Sequence, residues 1–152
     1  MRKFLTGAAT LAFAVTGVMA SAPAAQAAAS VPAPYKLVSS CSGSMVSGFP
    51  KVLKNSLGDT QGSLRLYYSS ANGGTNCAIL YDVAPGAHPM TVTLKRANLS
   101  YQGSDSGTFE TYAGGVAVTG AASQCVYTSG TLSMGSHSVD RFSVSSGAVG
   151  CP

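Results

Sequence analysis

The chain has no tryptophan, and only 9% of its 152 residues are charged. His88 and His137 are its only imidazoles. The four cysteines include no C-x-x-C pair, which argues against a zinc site or a dithiol redox motif. No G-x-S-x-G elbow singles out a serine as nucleophile. His137, Asp140 and one of many serines could be written down as a triad, but chance alone supplies such a triple in a chain this rich in serine. Of the acids Asp59, Asp82, Asp105, Glu110 and Asp140, the pair Asp105 and Glu110 is the nearest to a glycosidase-type arrangement. Its plainer reading is an Asx turn at Ser106-Gly107 followed by a solvated strand glutamate. No metal-ligand spacing recurs. The expectation is a protein that is not an enzyme and uses neither cofactor nor metal.

Basic clusters are also missing. Arg2 and Lys3 belong to an N-terminal segment with the plan of a secretory signal: a short basic start, an apolar run from Phe4 to Met19, and the small-x-small pattern Ala25-Gln26-Ala27. The apolar run falls short of the roughly 20 residues a spanning helix needs. Cleavage after Ala27 is expected, so residues 1–27 are a leader and the exported product keeps no membrane anchor. The remaining 125 residues carry seven bases against five acids, a net charge of +2 rather than the +4 of the whole chain. No run of bases exceeds two. Nucleic-acid binding, which needs clustered Lys and Arg to neutralise phosphates, is therefore excluded as an expectation.

What is present is β-grammar. Between Gly62 and Val83, Leu64, Leu66 and Tyr68 alternate with Arg65, Tyr67 and Ser69. Beyond Asn72-Gly73-Gly74, Cys77, Ile79, Tyr81 and Val83 alternate with Ala78, Leu80, Asp82 and Ala84. This is the period-two pattern of a hairpin with one buried face, reversed by residues that accept positive φ. Residues 28–34 read as a flexible lead-in, and Tyr35 to Ser40 as a first strand. Val52-Leu53 reads as a short strand or a helical turn, and Pro85 to Pro89 as a loop. Met90, Val92 and Leu94 mark a strand, while Asn98 to Ser106 reads as polar and exposed. Phe109 to Tyr112 is strand-like, and Ala113-Gly114-Gly115 breaks it as a bulge, corner or sheet switch would. Cys125–Tyr127 and Thr131–Met134 read as a strand pair or one bent strand. Arg141 to Ser145 closes the chain, with Phe142 and Val144 inward. With 18 glycines and frequent turn signals, the expected fold is an all-β single domain over 41–152: an antiparallel β-sandwich or partly open barrel.

Cys41, Cys77, Cys125 and Cys151 are even in number and all lie beyond the leader, which points to two disulfides in an oxidising compartment. Cys41–Cys77 with Cys125–Cys151 is favoured, because the second pair would flank one hairpin. The nested pairing Cys41–Cys151 with Cys77–Cys125 is the alternative. Loops of this size correspond to roughly 3–4 kcal/mol per bridge.

The stretches LYYSSANGGTNCAILY, PMTVTL, DSGTFETYAGGVAV and CVYTSGTL, with a terminal GC, resemble the spore-associated protein A group of small exported actinobacterial proteins. Asn72, Gly73, Asn76, Cys77, Asp105, Gly107, Phe109, Tyr112, Ala113, Gly114, Val116, Cys125 and Val126 fall on that pattern, and the likeness covers residues 62–130. Gly115 stands where the pattern has proline, and no tryptophan follows the late cysteine. The resemblance implies an extracellular, spore- or cell-surface-associated protein and no enzymatic activity.

Seven tyrosines outnumber the five acids. Tyr67, Tyr112 and Tyr127, if they project outward, would make a flat platform for a glycan or a protein surface. The functional expectation is a secreted, non-enzymatic protein acting by binding or as a coat component. Its partner would be a cell-wall or spore-surface component or another secreted protein. The alternatives are an extracellular inhibitor or effector presenting Pro85–Pro89 or Asn98–Asp105, and, last, a small hydrolase. Asn98-Leu99-Ser100 matches a glycosylation acceptor, which the bacterial resemblance sets aside.

Overall fold

A computed structural model describes residues 31–151. The expected leader (residues 1–27) and the start of the lead-in lie outside them. The architecture is all-β, with two antiparallel sheets and two disulfides. In chain order the strands are β1 (Tyr35–Leu37), β2 (Ser44–Met45), β3 (Lys51–Lys54), β4 (Thr60–Ser69), β5 (Thr75–Asp82), β6 (His88–Arg96), β7 (Gly103–Phe109), β8 (Tyr112–Val118), β9 (Val126–Ser133) and β10 (Arg141–Ser145). The larger sheet runs β1-β8-β5-β4-β2, with β3 also on β4, and the smaller runs β10-β9-β6-β7. One core joins them: Leu64, Leu66 and Leu80 from the larger sheet meet Met90, Val92, Leu94 and Leu132 from the smaller. Each is at most 2% exposed. Asp105 of β7 adds a polar tie, its Oδ2 accepting the Gly114 N–H of β8 at 2.8 Å.

The hairpin at 62–83 is β4 and β5, in register from Gly62↔Asp82 to Ser69↔Thr75. Its reversal places Asn72 at φ 56°, Gly73 at 71° and Gly74 at 87°, the positive-φ sequence expected there. The face of β5 differs from the expectation. Leu64 pairs with Leu80 and Leu66 with Ala78, so Ala78 and Leu80 line the core, while Cys77, Ile79 and Tyr81 lie on the opposite face. Val83 is 58% exposed, and Tyr68 is exposed at the far end of β4. Cys77 and Ile79 are nevertheless buried, because the chain covers that outer face. β1 and β2 sit at opposite edges of the larger sheet, so the segment between them crosses it. Val38 exchanges backbone hydrogen bonds with Gly115, and Cys41 bonds to Cys77 of the central strand. A Cβ on Gly115 would lie 2.7 Å from Cys77 Sγ and 2.8 Å from Cys41 Sγ, so the strap can pass only over glycine. The Ala113-Gly114-Gly115 break is the bulge among the readings considered, with the register shifting opposite Ala78 and Ile79.

Other boundaries also move. His88 and Pro89 belong to β6, not to a loop. Gly103 to Ser106 belong to β7, and a Cβ on the buried Gly103 would strike the Tyr35 ring at 2.7 Å. Glu110-Thr111 is the turn between β7 and β8 rather than part of a strand. Val52-Leu53 is strand, and Val126–Ser133 is one continuous strand rather than a pair. Residues 31–34 are not a loose lead-in. Val31 packs on the core, Ala33 O accepts the Tyr101 hydroxyl at 2.8 Å, and Pro32 O accepts Tyr35 N–H at 2.9 Å.

Candidate functional site

The expected tyrosine platform does not form. Tyr67 pairs with Cys77 and Tyr112 with Tyr81, which puts both on the strapped outer face of the larger sheet. Tyr127 pairs with Lys95 on the smaller sheet, on the other side of the molecule. Tyr112 is held: its hydroxyl donates to Ser39 O in the strap at 3.2 Å, and its ring leans on Tyr81 at 5.8 Å. The Arg65 guanidinium lies 4.4 Å above the Tyr81 ring. Tyr112, backed by Tyr81, thus ties the strap to the sheet.

The His137/Asp140 and Asp105/Glu110 pairs are not brought together by their side chains. His137 and Asp140 meet through backbone alone, Asp140 N–H to His137 O at 3.1 Å. Asp105 points between the sheets toward Gly114 while Glu110 is exposed in the next turn. They are five positions apart, about 16 Å along an extended strand, and Asp105 bonds to Gly114 rather than making an Asx turn. Asp82 is instead the partner of His88, Oδ2 to Nδ1 at 2.6 Å, while its Oδ1 accepts Ala84 N–H. The Asp82 side chain is fully buried, and the pair ties the end of β5 to the start of β6. Among the described residues no cluster of three or more His, Cys, Asp or Glu could hold a metal ion. None of their helices is long and apolar enough to cross a membrane. Of the two expected inhibitor loops, His88-Pro89 and Gly103–Asp105 are strand, and neither segment is closed by a disulfide.

What the structure does assemble is the outer face of the smaller sheet. Side chains alternate across a strand, so the inward positions Met90, Val92, Leu94 and Leu132 leave their neighbours outward. Each of the four strands contributes a hydroxyl-x-hydroxyl pair, and the register stacks them into rows. Ser106, Thr91, Thr131 and Ser143 form one row, and Ser104, Thr93, Ser129 and Ser145 the next. Neighbouring strands lie about 4.8 Å apart and successive rows about 7 Å apart, so eight hydroxyls form a lattice. Two contacts cross between strands: Thr93 Oγ1 to Ser129 Oγ at 2.7 Å, and Ser106 Oγ donating to Thr91 Oγ1 at 3.0 Å.

Beyond the first row, Thr108 pairs with Pro89 and Arg141 with Ser133. Here the face is hollowed into a groove of about 560 Å³, lined by Thr91, Thr108, Thr131, Ser133, Ser143 and Arg141 together with Pro89. The other lining residues, Met90, Gly107, Leu132 and Phe142, form the intervening row. Met90, Leu132 and Phe142 send their side chains into the core, so the groove floor is backbone. At the opposite end of the same face stand Lys95 and Tyr127, the latter 42% exposed. A shallow groove with hydroxyls at fixed spacings both donates and accepts hydrogen bonds, which suits a ligand that is itself rich in hydroxyls. Of the three tyrosines expected to form a platform, only Tyr127 lies on this face, where Pro89 and Ser104 from the two expected inhibitor loops also fall. The signal that could have found it is the recurrence of T-V-T, S-D-S, S-G-T and S-V-S, each flanking one inward residue.

No protein-family model matches the chain, and neither does any curated protein or solved structure.

Proposed function

We propose that this is a secreted, non-enzymatic protein that attaches to a hydroxyl-rich polymer of the cell or spore surface, through the outer face of its smaller sheet. The observation that carries the reading is the in-register lattice of Ser and Thr hydroxyls running into a groove with a backbone floor. Polymers of sugars or polyols present repeating hydroxyls, and a rigid sheet answers them with donors and acceptors already in place, so little ordering entropy is lost on binding. Two disulfides and the leader-like N-terminus support an extracellular setting. The likeness to spore-associated proteins supports a surface as the place of attachment.

The test is cosedimentation of the oxidised mature protein with washed spores and purified bacterial cell walls. Retention by either, lost in a Thr91→Val/Thr131→Val double variant that unfolds at the wild-type temperature, is the expected outcome. A protein that stays in the supernatant with both materials sinks the reading.

A further inference from the structure

The outer face of the smaller sheet is cationic as well as hydroxylated. Lys95 ends its row on β6, and Arg141 sits at the groove on β10, three rows away and two strands over. By strand geometry that is about 20 Å along the sheet and about 10 Å across it. None of the outward positions between them carries a carboxylate. Asp105, the one acid within the four strands, is turned inward to the Gly114 N–H. Among the described residues the one contact of a basic side chain with a carboxylate is His88 with Asp82, which leaves both cations on this face without an acidic partner.

We propose that the polymer held by this face is anionic: a hydroxylated chain bearing phosphodiester or uronate groups, whose charges meet Arg141 at the groove and Lys95 at the far end of the lattice. This rests on the reading of the face as a binding site. Hydroxyls alone would serve a neutral glycan equally well. The two unpaired cations decide for an acid, because they make the potential of the face complementary to a chain with separated negative charges. Arg141 brings a fork that can take two oxygens of a carboxylate or phosphate at once. Tyr127 beside Lys95 offers a ring face on which a sugar or polyol carbon chain can lie. Two charges this far apart are too sparse for nucleic acid, which carries one phosphate per few ångström.

The experiment measures binding of the mature protein to poly(glycerol phosphate), polygalacturonate, neutral xylan and single-stranded poly(dT), for wild type and for Arg141→Gln/Lys95→Gln. Both positions are solvent-facing, and equal thermal unfolding of the two proteins confirms the fold. The wild type is expected to bind at least one of the two acidic polymers about tenfold more tightly than xylan at low salt, the tighter one naming the acid. The gap closes as salt rises from about 0.05 M to about 0.5 M and the screening length shrinks. The double variant binds the acidic polymers no better than xylan. Equal, salt-independent binding of xylan and the acidic polymers overturns the anionic ligand and leaves the groove reading standing. Binding of none of the saccharide and polyol polymers overturns both. Retention of poly(dT) as strong as that of the acidic polymers overturns the proposal in favour of unselective polyanion attraction.

Discussion

The two sheets turn opposite outer faces to the world. The larger is crossed by its own chain: Val38 to Gly43 straps it, Cys41 is bonded to Cys77 beneath, and Tyr112, Tyr81 and Arg65 pack at the flank. The smaller is open, tiled with serine and threonine, and hollowed at one end. Aromatic residues are the usual marks of a binding surface, yet Tyr112 and Tyr81 are engaged in holding the chain to itself. The open face is instead tiled mainly with small hydroxyls, beside Tyr127, Lys95 and Arg141. A reading from tyrosines alone therefore points to the strapped face rather than to the face proposed for binding.

The comparison breaks most sharply at the strap. A Cys41→Ala/Cys77→Ala variant is expected to lose roughly 3–4 kcal/mol, since the bridge closes a loop of 36 residues. Urea unfolding measures the loss, and polymer retention at low temperature stays intact because the smaller sheet keeps its register. A variant that keeps its stability shows the strap to be passive. A smaller effect is expected between the sheets. Asp105→Ala leaves the Gly114 N–H without its acceptor and costs about 1–3 kcal/mol in the same assay.

Tyr35 sharpens the comparison by pH. It is 3% exposed, donates to Tyr101 O and accepts the Arg96 N–H. Burial pushes its phenol above the ordinary 10.0. The folded state then holds the proton more tightly than the unfolded one, so this contribution is intact below about pH 10 and fades as pH rises through the folded value. Tyr35→Phe is expected to lose about 1 kcal/mol at neutral pH and to decline less steeply than wild type in alkaline unfolding curves. Parallel curves would show that Tyr35 does not set the alkaline limit. The smallest stability effect belongs to the open face: Thr131→Val with Ser143→Ala stays within about 0.5 kcal/mol of wild type, while retention on the surface polymer falls about tenfold. Undiminished retention removes the lattice from the site.

The sequence makes the β4–β5 hairpin plain, because alternation and the Asn-Gly-Gly turn agree. It misleads on the face of β5, since both alternating sets are apolar: one meets the core, the other the strap. Strand β7 is hidden because Gly-Ser-Asp-Ser-Gly-Thr has the composition of a loop. Its glycine is there for the Tyr35 ring, and its serines for solvent. The hydroxyl lattice is invisible in any single segment, because a T-x-T or S-x-S pair acquires meaning only when three other strands align theirs beside it. Of the three platform tyrosines Tyr127 alone falls on the lattice face, and register rather than propensity places it there.

The pairing of β1 with β8 also sets an order of events. Tyr35 sits opposite Val118, so the first strand has no ladder partner until about seven-tenths of the described chain has been made. Contacts this distant in sequence form slowly. For the secreted protein proposed above, that delay would leave the larger sheet unfinished while the chain crosses a membrane. The strap would close late for the same reason, because Val38 bonds to Gly115 of β8, and the Cys41–Cys77 bridge beneath it would form on the oxidising side.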